Sequence, residues 1–260
     1  RAQILAGLDP EVAGALSELH LHQQVDSTNR WLMQQAAAGA TSGSACLAER
    51  QTAGRGRRGR TWASPFGANI YLSLLWRFNL GPAQLSGLSL AAGLAVLRAL
   101  QRQGIQGPGL KWPNDLLWNG RKLAGLLLEL AGETGGPSYV VLGVGLNLRL
   151  SAAQAAAIEQ PWVDLRGLPG SPEPSRNRLA GAVLSELLTM LQAFERSGFG
   201  PLAAEWNRHD LYRGCKVVVT SGQGELRGVH RGVDSAGALL LEQAGGLRAC
   251  HAGELSLRLS

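Results

Sequence analysis

The sequence predicts an α+β protein, with a larger mixed domain over residues 1–212 and a small all-β domain over 213–260. Two patterns carry this expectation. Up to residue 208, strand-like runs are interspersed with longer stretches whose apolar residues recur at helical spacing. From residue 213 the chain changes to short alternating runs (KVVVT, ELRGVHRGV, ALLLEQ, LRACHAG, LSLRL) separated by glycine, the pattern of a small β-barrel or sandwich. A hydrophobic fraction of 45% against 17% charged residues supplies a sizeable core, which excludes intrinsic disorder, collagen and a pure coiled coil.

Residues 19–25 read as a strand. Asp26, Ser27 and Thr28 then offer N-cap oxygens to a helix that runs to Ala38 and stops at Gly39. Residues 44–49 form a second strand, which leads into the loop QTAGRGRRGRTWASPFGAN, too long and polar to be buried; a strand resumes over 69–76. Leucines at 85, 88, 94, 97 and 100 give residues 83–103 an apolar stripe at helical spacing, ended by Gly104. Two apolar runs around Asn119-Gly120, the dipeptide favoured in type I′ turns, predict a hairpin after KWPND. Residues 139–148 follow as a strand and 176–208 as helix, after a Gly, Ser and Pro stretch.

No apolar run free of charge reaches the roughly 20 residues of a membrane span, because Arg98 and Glu129 interrupt the best candidates. With no secretory signal at its start, the chain is expected in the cytoplasm. Cys46, Cys215 and Cys250 are odd in number and far apart, so neither a disulfide framework nor a zinc site is suggested.

The charge is concentrated. The net charge is +6, and residues 1–150 hold 14 Lys and Arg against 8 acids, while 151–260 hold 11 of each. Arg50, Arg55, Arg57, Arg58 and Arg60 fall together, and between Glu49 and Asp115 there is no acid. A field of this kind attracts phosphates. The loop formally contains GxGxxG at Gly54, Gly56 and Gly59, but it leads into a strand and no acid follows at ribose-binding distance, so the dinucleotide reading fails on context. Glycines that let backbone amides approach an anion, beside guanidinium forks, instead make an anion cradle. A solvated basic loop and an RGG-like RNA-binding segment are the competing readings.

A second constellation is Lys111, Trp112, Pro113, Asn114 and Asp115, with Arg121 and Lys122 opening the return strand of the hairpin. Each lysine can equally cap a strand with its head in water. Asp115, alone in a basic stretch, can hold a magnesium ion that arrives with a nucleotide, or pair with an arginine. A third is GVGLN at 143–147, where Gly143 permits close backbone approach and Asn147 offers a donor and an acceptor.

Together VDSTN (25–29), ERQTAGRGRRGRTWASPFGANIYLSL (49–74), KWPNDLLWNGRKLAGLLLEL (111–130) and VVLGVGLNL (140–148) resemble the biotin protein ligases, most closely the bacterial bifunctional ligases that also repress the biotin operon. GALLLEQ and GELSLR in the tail are similar to that family's C-terminal domain. The resemblance implies a mixed sheet with helices on one side, of the class II aminoacyl-tRNA synthetase-like kind, then an SH3-like barrel. It implies an enzyme that makes biotinyl-5′-AMP from biotin and ATP with Mg2+, and passes biotin to a lysine of the biotin carboxyl carrier protein of acetyl-CoA carboxylase.

By motif match, Ser27, Thr28, Asn29 and Gln51 would meet biotin's neutral ring system. Arg55 and Arg57, with Gly54 and Gly56, would close over carboxylate and phosphate, and Trp62, Gly125 and Gly143 would line the same space. Lys122 would stabilise the charge between carboxylate and α-phosphate. Lys111 would help on the phosphates, Asp115 through the metal, and Asn114 and Asn147 with the nucleotide. Arg258 would reach ATP from the tail, and Trp162, at the end of the loop SAAQAAAIEQPW (151–162), would stack on adenine. Both loops are expected to order on ligand binding.

A homodimer is implied; DNA enters only through a helix-turn-helix domain preceding the segment RAQILAGLD. The alternatives are a repressor core lacking its DNA-binding domain, a lipoate-type ligase, and a nucleic-acid module working through the basic loop.

Overall fold

The computed structural model describes residues 1–260 except 133–136, 157, 171, 173, 222–223 and 252–254. Two short helices that the sequence does not announce, α1 (Ala2–Leu5) and α2 (Pro10–Ala13), precede β1 (Glu18–Val25) and α3 (Thr28–Ala37). β2 (Ser44–Gln51), β3 (Asn69–Phe78), α4 (Leu88–Arg102), β4 (Gly109–Lys111), β5 (Asp115–Trp118), β6 (Arg121–Gly132) and β7 (Ser138–Asn147) follow. Then come α5 (Ala152–Ala155), α6 (Arg176–Ser197), α7 (Ala203–Arg208) and five strands: β8 (Lys216–Ser221), β9 (Gly224–Val233), β10 (Leu239–Gln243), β11 (Gly246–Cys250) and β12 (Ser256–Leu259).

The first seven strands form one sheet in the order β1-β2-β3-β7-β6-β5-β4. Only β1 and β2 run parallel, so the sheet is mixed. Alternation in β3 sorts its faces: Ile70, Leu72, Leu74, Trp76 and Phe78 point into the main core beneath α4 and α6, and Leu75 meets α3 on the other face. The two long helices thus share one side, and α3 lies on the other. The predicted hairpin turn is present, with Asn119 and Gly120 both at positive φ (47° and 73°).

Two predicted helices are interrupted. The stripe over 83–103 breaks at Gly87 (φ 79°), against which Phe199 packs so closely that a Cβ there would lie 2.6 Å from it. The helical run over 176–208 divides at Gly198 (φ 62°) into α6 and α7. Arg98 does not keep Pro82–Arg102 below the length and apolarity of a membrane span, but most of this segment is buried inside the fold, and Arg98 pairs with Glu205 of α7. It is the core helix.

Strands β8 to β12 form a separate antiparallel sheet in the order β11-β10-β9-β8-β12. Among the described residues β11 and β12 do not pair, so the sheet is not a closed barrel. Its inner residues Val217, Val219, Val233, Leu239, Leu241 and Leu257 join the main core. Trp112, fully buried, donates from Nε1 to the Gly237 carbonyl (3.2 Å) and ties the second sheet to the KWPND segment.

Candidate active site

The face of the sheet beside α3 carries a row of positions without side chains. Gly125 of β6 pairs with Gly145 of β7, and Gly143 pairs with Ser73 of β3. Added Cβ atoms would lie 2.2 Å from Asn29 Oδ1 at Gly143 and 2.4 Å from the Trp62 ring at Gly145, so these glycines make the room the side chains occupy. Ser27, in extended conformation, caps α3 by accepting from Arg30 N (3.4 Å) and so sets Thr28 and Asn29 at the floor of a cleft. Thr28 donates to Gln51 Oε1 from its backbone N (2.9 Å) and Oγ1 (3.1 Å), and Gln51 Nε2 donates to Ser64 Oγ (2.9 Å). Ser73 Oγ donates to Asn29 Oδ1 (2.6 Å) and lies 2.8 Å from Thr28 Oγ1. The floor is neutral and rich in donors and acceptors.

The Gly and Arg loop lines the other side of the cleft. It turns tightly through Arg58 (φ 59°) and Gly59 (φ 70°), and Gly56 N donates to the Arg60 carbonyl (2.7 Å). Gly54 is shut against the Trp62 carbonyl and Ser64. Arg55 Nη1 donates to Glu129 Oε1 (2.8 Å); Arg57 reaches the opposite way, to Asn114 Oδ1 (3.1 Å) and the Leu255 carbonyl (3.2 Å). Burial lowers the Arg57 pKa and Asp115 works against that, but a guanidinium stays charged at any ordinary pH. Arg58 is exposed.

Lys122 enters the cleft because of an irregularity. Ala124 pairs with Leu116 and Lys122 with Leu117, so β6 carries one extra residue, Leu123, against β5. This bulge turns Leu123 into the core and re-aims Lys122, whose Nζ lies 2.8 Å from Asp115 Oδ1 and 5.4 Å from the centre of the Trp62 ring. Lys111 Nζ stands 3.9 Å from Asp115 Oδ2 and over the Tyr212 ring. Burial lowers the Lys111 pKa; Asp115 opposes this, and Lys122, Arg60 and Arg258 add to it. Arg258, exposed on β12, is thereby placed within electrostatic reach of Lys111.

Asn147 does not line the cleft. Its Nδ2 donates to the carbonyls of Lys122 (3.3 Å) and Val163 (3.2 Å), and its Oδ1 accepts from Asn69 (3.2 Å). It therefore holds the backbone of Lys122. Trp162 forms a bridge with Lys122 and lines an adjoining depression with Gln160 and Arg121. Ser73, Ser64 and Glu129 brace these side chains from outside the cleft lining and Tyr212 lies beneath Lys111; the sequence alone gives none of the four a role, because each looks like an ordinary residue of a strand or linker until the fold is known.

Among the described residues no group of three or more His, Cys, Asp and Glu side chains gathers to hold a metal. Asp115 offers one carboxylate beside two ammonium groups. That donor set fits an ion held mainly by nucleotide phosphates, since magnesium usually takes one or two carboxylates and keeps its other positions for phosphate and water.

The order of these segments along a mixed sheet matches a known ligase architecture. Residues 21–147 match the biotin/lipoate A/B protein ligase family and residues 214–258 the biotin protein ligase C-terminal domain, and the chain belongs to this family. It is 41% identical to the bifunctional ligase/repressor BirA of Escherichia coli, over 98% of this chain and 77% of that protein. It is 39% identical to the biotin–[acetyl-CoA-carboxylase] ligase of Mycobacterium tuberculosis, over 92% and 88%. Its fold is similar to that of the biotin protein ligase from Aquifex aeolicus in complex with biotin and ATP (TM-score 0.79, 29% identity, 94% of this chain and 100% of that one).

Proposed function

We propose that this protein activates biotin with ATP and then transfers it to a lysine of the biotin carboxyl carrier protein of acetyl-CoA carboxylase. In the first step a carboxylate oxygen of biotin bonds to the α-phosphorus and the bond to pyrophosphate breaks, giving biotinyl-5′-AMP. In the second, the acceptor lysine's amine bonds to the acyl carbon, AMP leaves, and the amine loses a proton. The reading is supported by relatives named for this ligation and by a neighbour solved with biotin and ATP. The observation that carries it is the meeting, at Lys122, of a neutral hydrogen-bonding floor and a cationic loop.

In this reading Ser27, Thr28 and Gln51 recognise the ureido ring, and Asn29 orders the floor beneath it. Arg55, Arg57 and the backbone at Gly54 and Gly56 enclose carboxylate and phosphate. Lys122 neutralises charge at the reacting atoms, Lys111 and Arg258 serve the phosphates, Asn114 orients the nucleotide and Trp162 covers adenine. Magnesium, when bound, neutralises the triphosphate, and Asp115 would hold it. Incubating the chain with biotin, magnesium and α-labelled ATP should yield labelled biotinyl-AMP; a folded chain that binds biotin and makes none would overturn the reading.

Two further outcomes are expected. Because Asn29 is pinned by Ser73, Glu129 and the Leu127 carbonyl, the alanine methyl of Gly143→Ala would have to push its amide out of place. Losing several such bonds should weaken biotin binding about ten- to a hundredfold by calorimetry; binding within threefold of the parent would show the floor to be more yielding than this. Burial also favours the neutral form of Lys111, so its charge is lost, as pH rises, earlier than that of an ordinary lysine. The kcat/KM of adenylation, which reports the free enzyme, should therefore fall on the alkaline side, and Lys111→Arg should move that limb to higher pH. An unmoved limb would remove Lys111 from the phosphate site.

A further inference from the structure

The loop is fastened on two sides, and the sheet-side fastening uses an acid to which the motif match assigns no role. Glu129, on β6 beyond the glycine row, accepts from Arg55 Nη1 through Oε1 (2.8 Å) and from Asn29 Nδ2 through Oε2 (2.9 Å). Asn29 is joined through Ser73 to Thr28, and Thr28 to Gln51. An unbroken chain of hydrogen bonds therefore runs from the floor of the cleft to the arginine loop, and Glu129 is the link that joins its neutral members to Arg55. Arg57 fastens the same loop in the other direction, on Asn114 and Leu255.

We propose that Glu129 is a positioning residue that clasps the loop over the bound adenylate. By holding Arg55 against the same Asn29 that orders the floor, it makes loop closure depend on an intact floor and retains the activated intermediate until the acceptor lysine arrives. Both carboxylate oxygens are needed. In this geometry a glutamine at 129 puts an NH2 donor where one of the two donors, Arg55 Nη1 or Asn29 Nδ2, now meets an oxygen, so one of the two contacts is lost. The Arg55–Glu129 pair is partly exposed (side chains 42% and 21%), so the clasp is a weak one that can open and close in each cycle. The inference rests on the reading of the cleft as the biotinyl-AMP site.

The test is release of labelled biotinyl-AMP from the full chain after a chase with unlabelled biotin and ATP. Parent, Glu129→Gln, Glu129→Asp, Arg55→Gln and the Arg55→Gln/Glu129→Gln double variant are compared. Glu129→Gln should speed release about three- to fivefold, with adenylate formation at saturating substrate changed less than twofold. Structural damage alone would depress formation as well. Glu129→Asp, with its charge kept and its reach shortened, should fall between parent and Glu129→Gln, and serves as the reporter if Glu129→Gln fails to fold. In the Arg55→Gln background the substitution should add nothing. Release at the parent rate in Glu129→Gln, or an equal acceleration in the Arg55→Gln background, would overturn the clasp. A parent that forms no adenylate would instead overturn the ligase reading.

Discussion

Replacing Lys122 with alanine is expected to slow adenylate formation about 10²- to 10³-fold, the usual loss when one preorganised donor to developing charge is removed. The Lys122 side chain is only 11% exposed, and its ammonium sits 2.8 Å from Asp115 on a bulge fixed by the register of β5 and β6. Its orientation is therefore set before substrate arrives, held further by the Asn147 bond to its carbonyl. As the carboxylate of biotin approaches the α-phosphate, two anionic groups are forced together, and a cation between them is worth most at that point. Lys122 lines the same cleft but takes part in none of the hydrogen bonds of the ring floor, so biotin affinity should change less than the rate. Single-turnover formation of labelled biotinyl-AMP beside calorimetric binding separates the two. A rate within tenfold of the parent would assign the charge stabilisation to Lys111 or to the loop arginines instead.

Much of this site is legible in the sequence because its signals are local. Ser27 before an apolar helical run reads as a cap, and Asn119-Gly120 reads as the turn that brings KWPND and RKLAG together. Glycines among arginines read as a loop that approaches an anion. What was not legible depends on register and on partners distant in the chain. Nothing in RKLAGLLLEL says that Leu123 is an extra residue, yet that one position decides whether Lys122 faces cleft or core. Asn147 reads as a ligand contact because an asparagine after two glycines offers free groups; only tertiary structure shows them bonded to Asn69, Lys122 and Val163. The break at Gly87 comes where Phe199, more than a hundred residues away, packs against the space a side chain would fill. Glu129 looks like a solvated strand residue until the loop folds back onto it. Local propensity fixes elements, and long-range pairing fixes which side chains meet.

The largest loss of stability is expected from Asp210→Ala. Asp210 Oδ2 lies 2.6 Å from His230 Nε2, both side chains are 0% exposed, and Asp210 Oδ1 also accepts from Tyr212 N (3.0 Å). Gly232 N donates to His230 Nδ1 (3.4 Å), which leaves Nε2 as the nitrogen that donates to the carboxylate. The pair joins β9 of the second sheet to a segment that continues the first, since Leu110 N donates to the His209 carbonyl and Leu211 N to the Leu110 carbonyl. Alanine at 210 leaves a buried imidazole donor without a partner and a backbone amide unpaired, which should cost about 3 kcal/mol in urea unfolding. The loss should reach the chemistry. The second sheet supplies the Gly237 carbonyl to Trp112 and carries Arg258, and Leu255 just before β12 receives Arg57. Loosening the pair therefore loosens both the KWPND segment and the loop. Hydrogen exchange in β4 and β9 should rise together, and adenylation should fall at temperatures where the fold persists. The double variant Asp210→Leu/His230→Leu should recover much of the stability, because an apolar pair leaves no buried polar group unmet. A cost below about 1 kcal/mol for Asp210→Ala would mean that the shared apolar core, with Val217, Val233 and Leu239 against the main cluster, docks the second sheet without this pair.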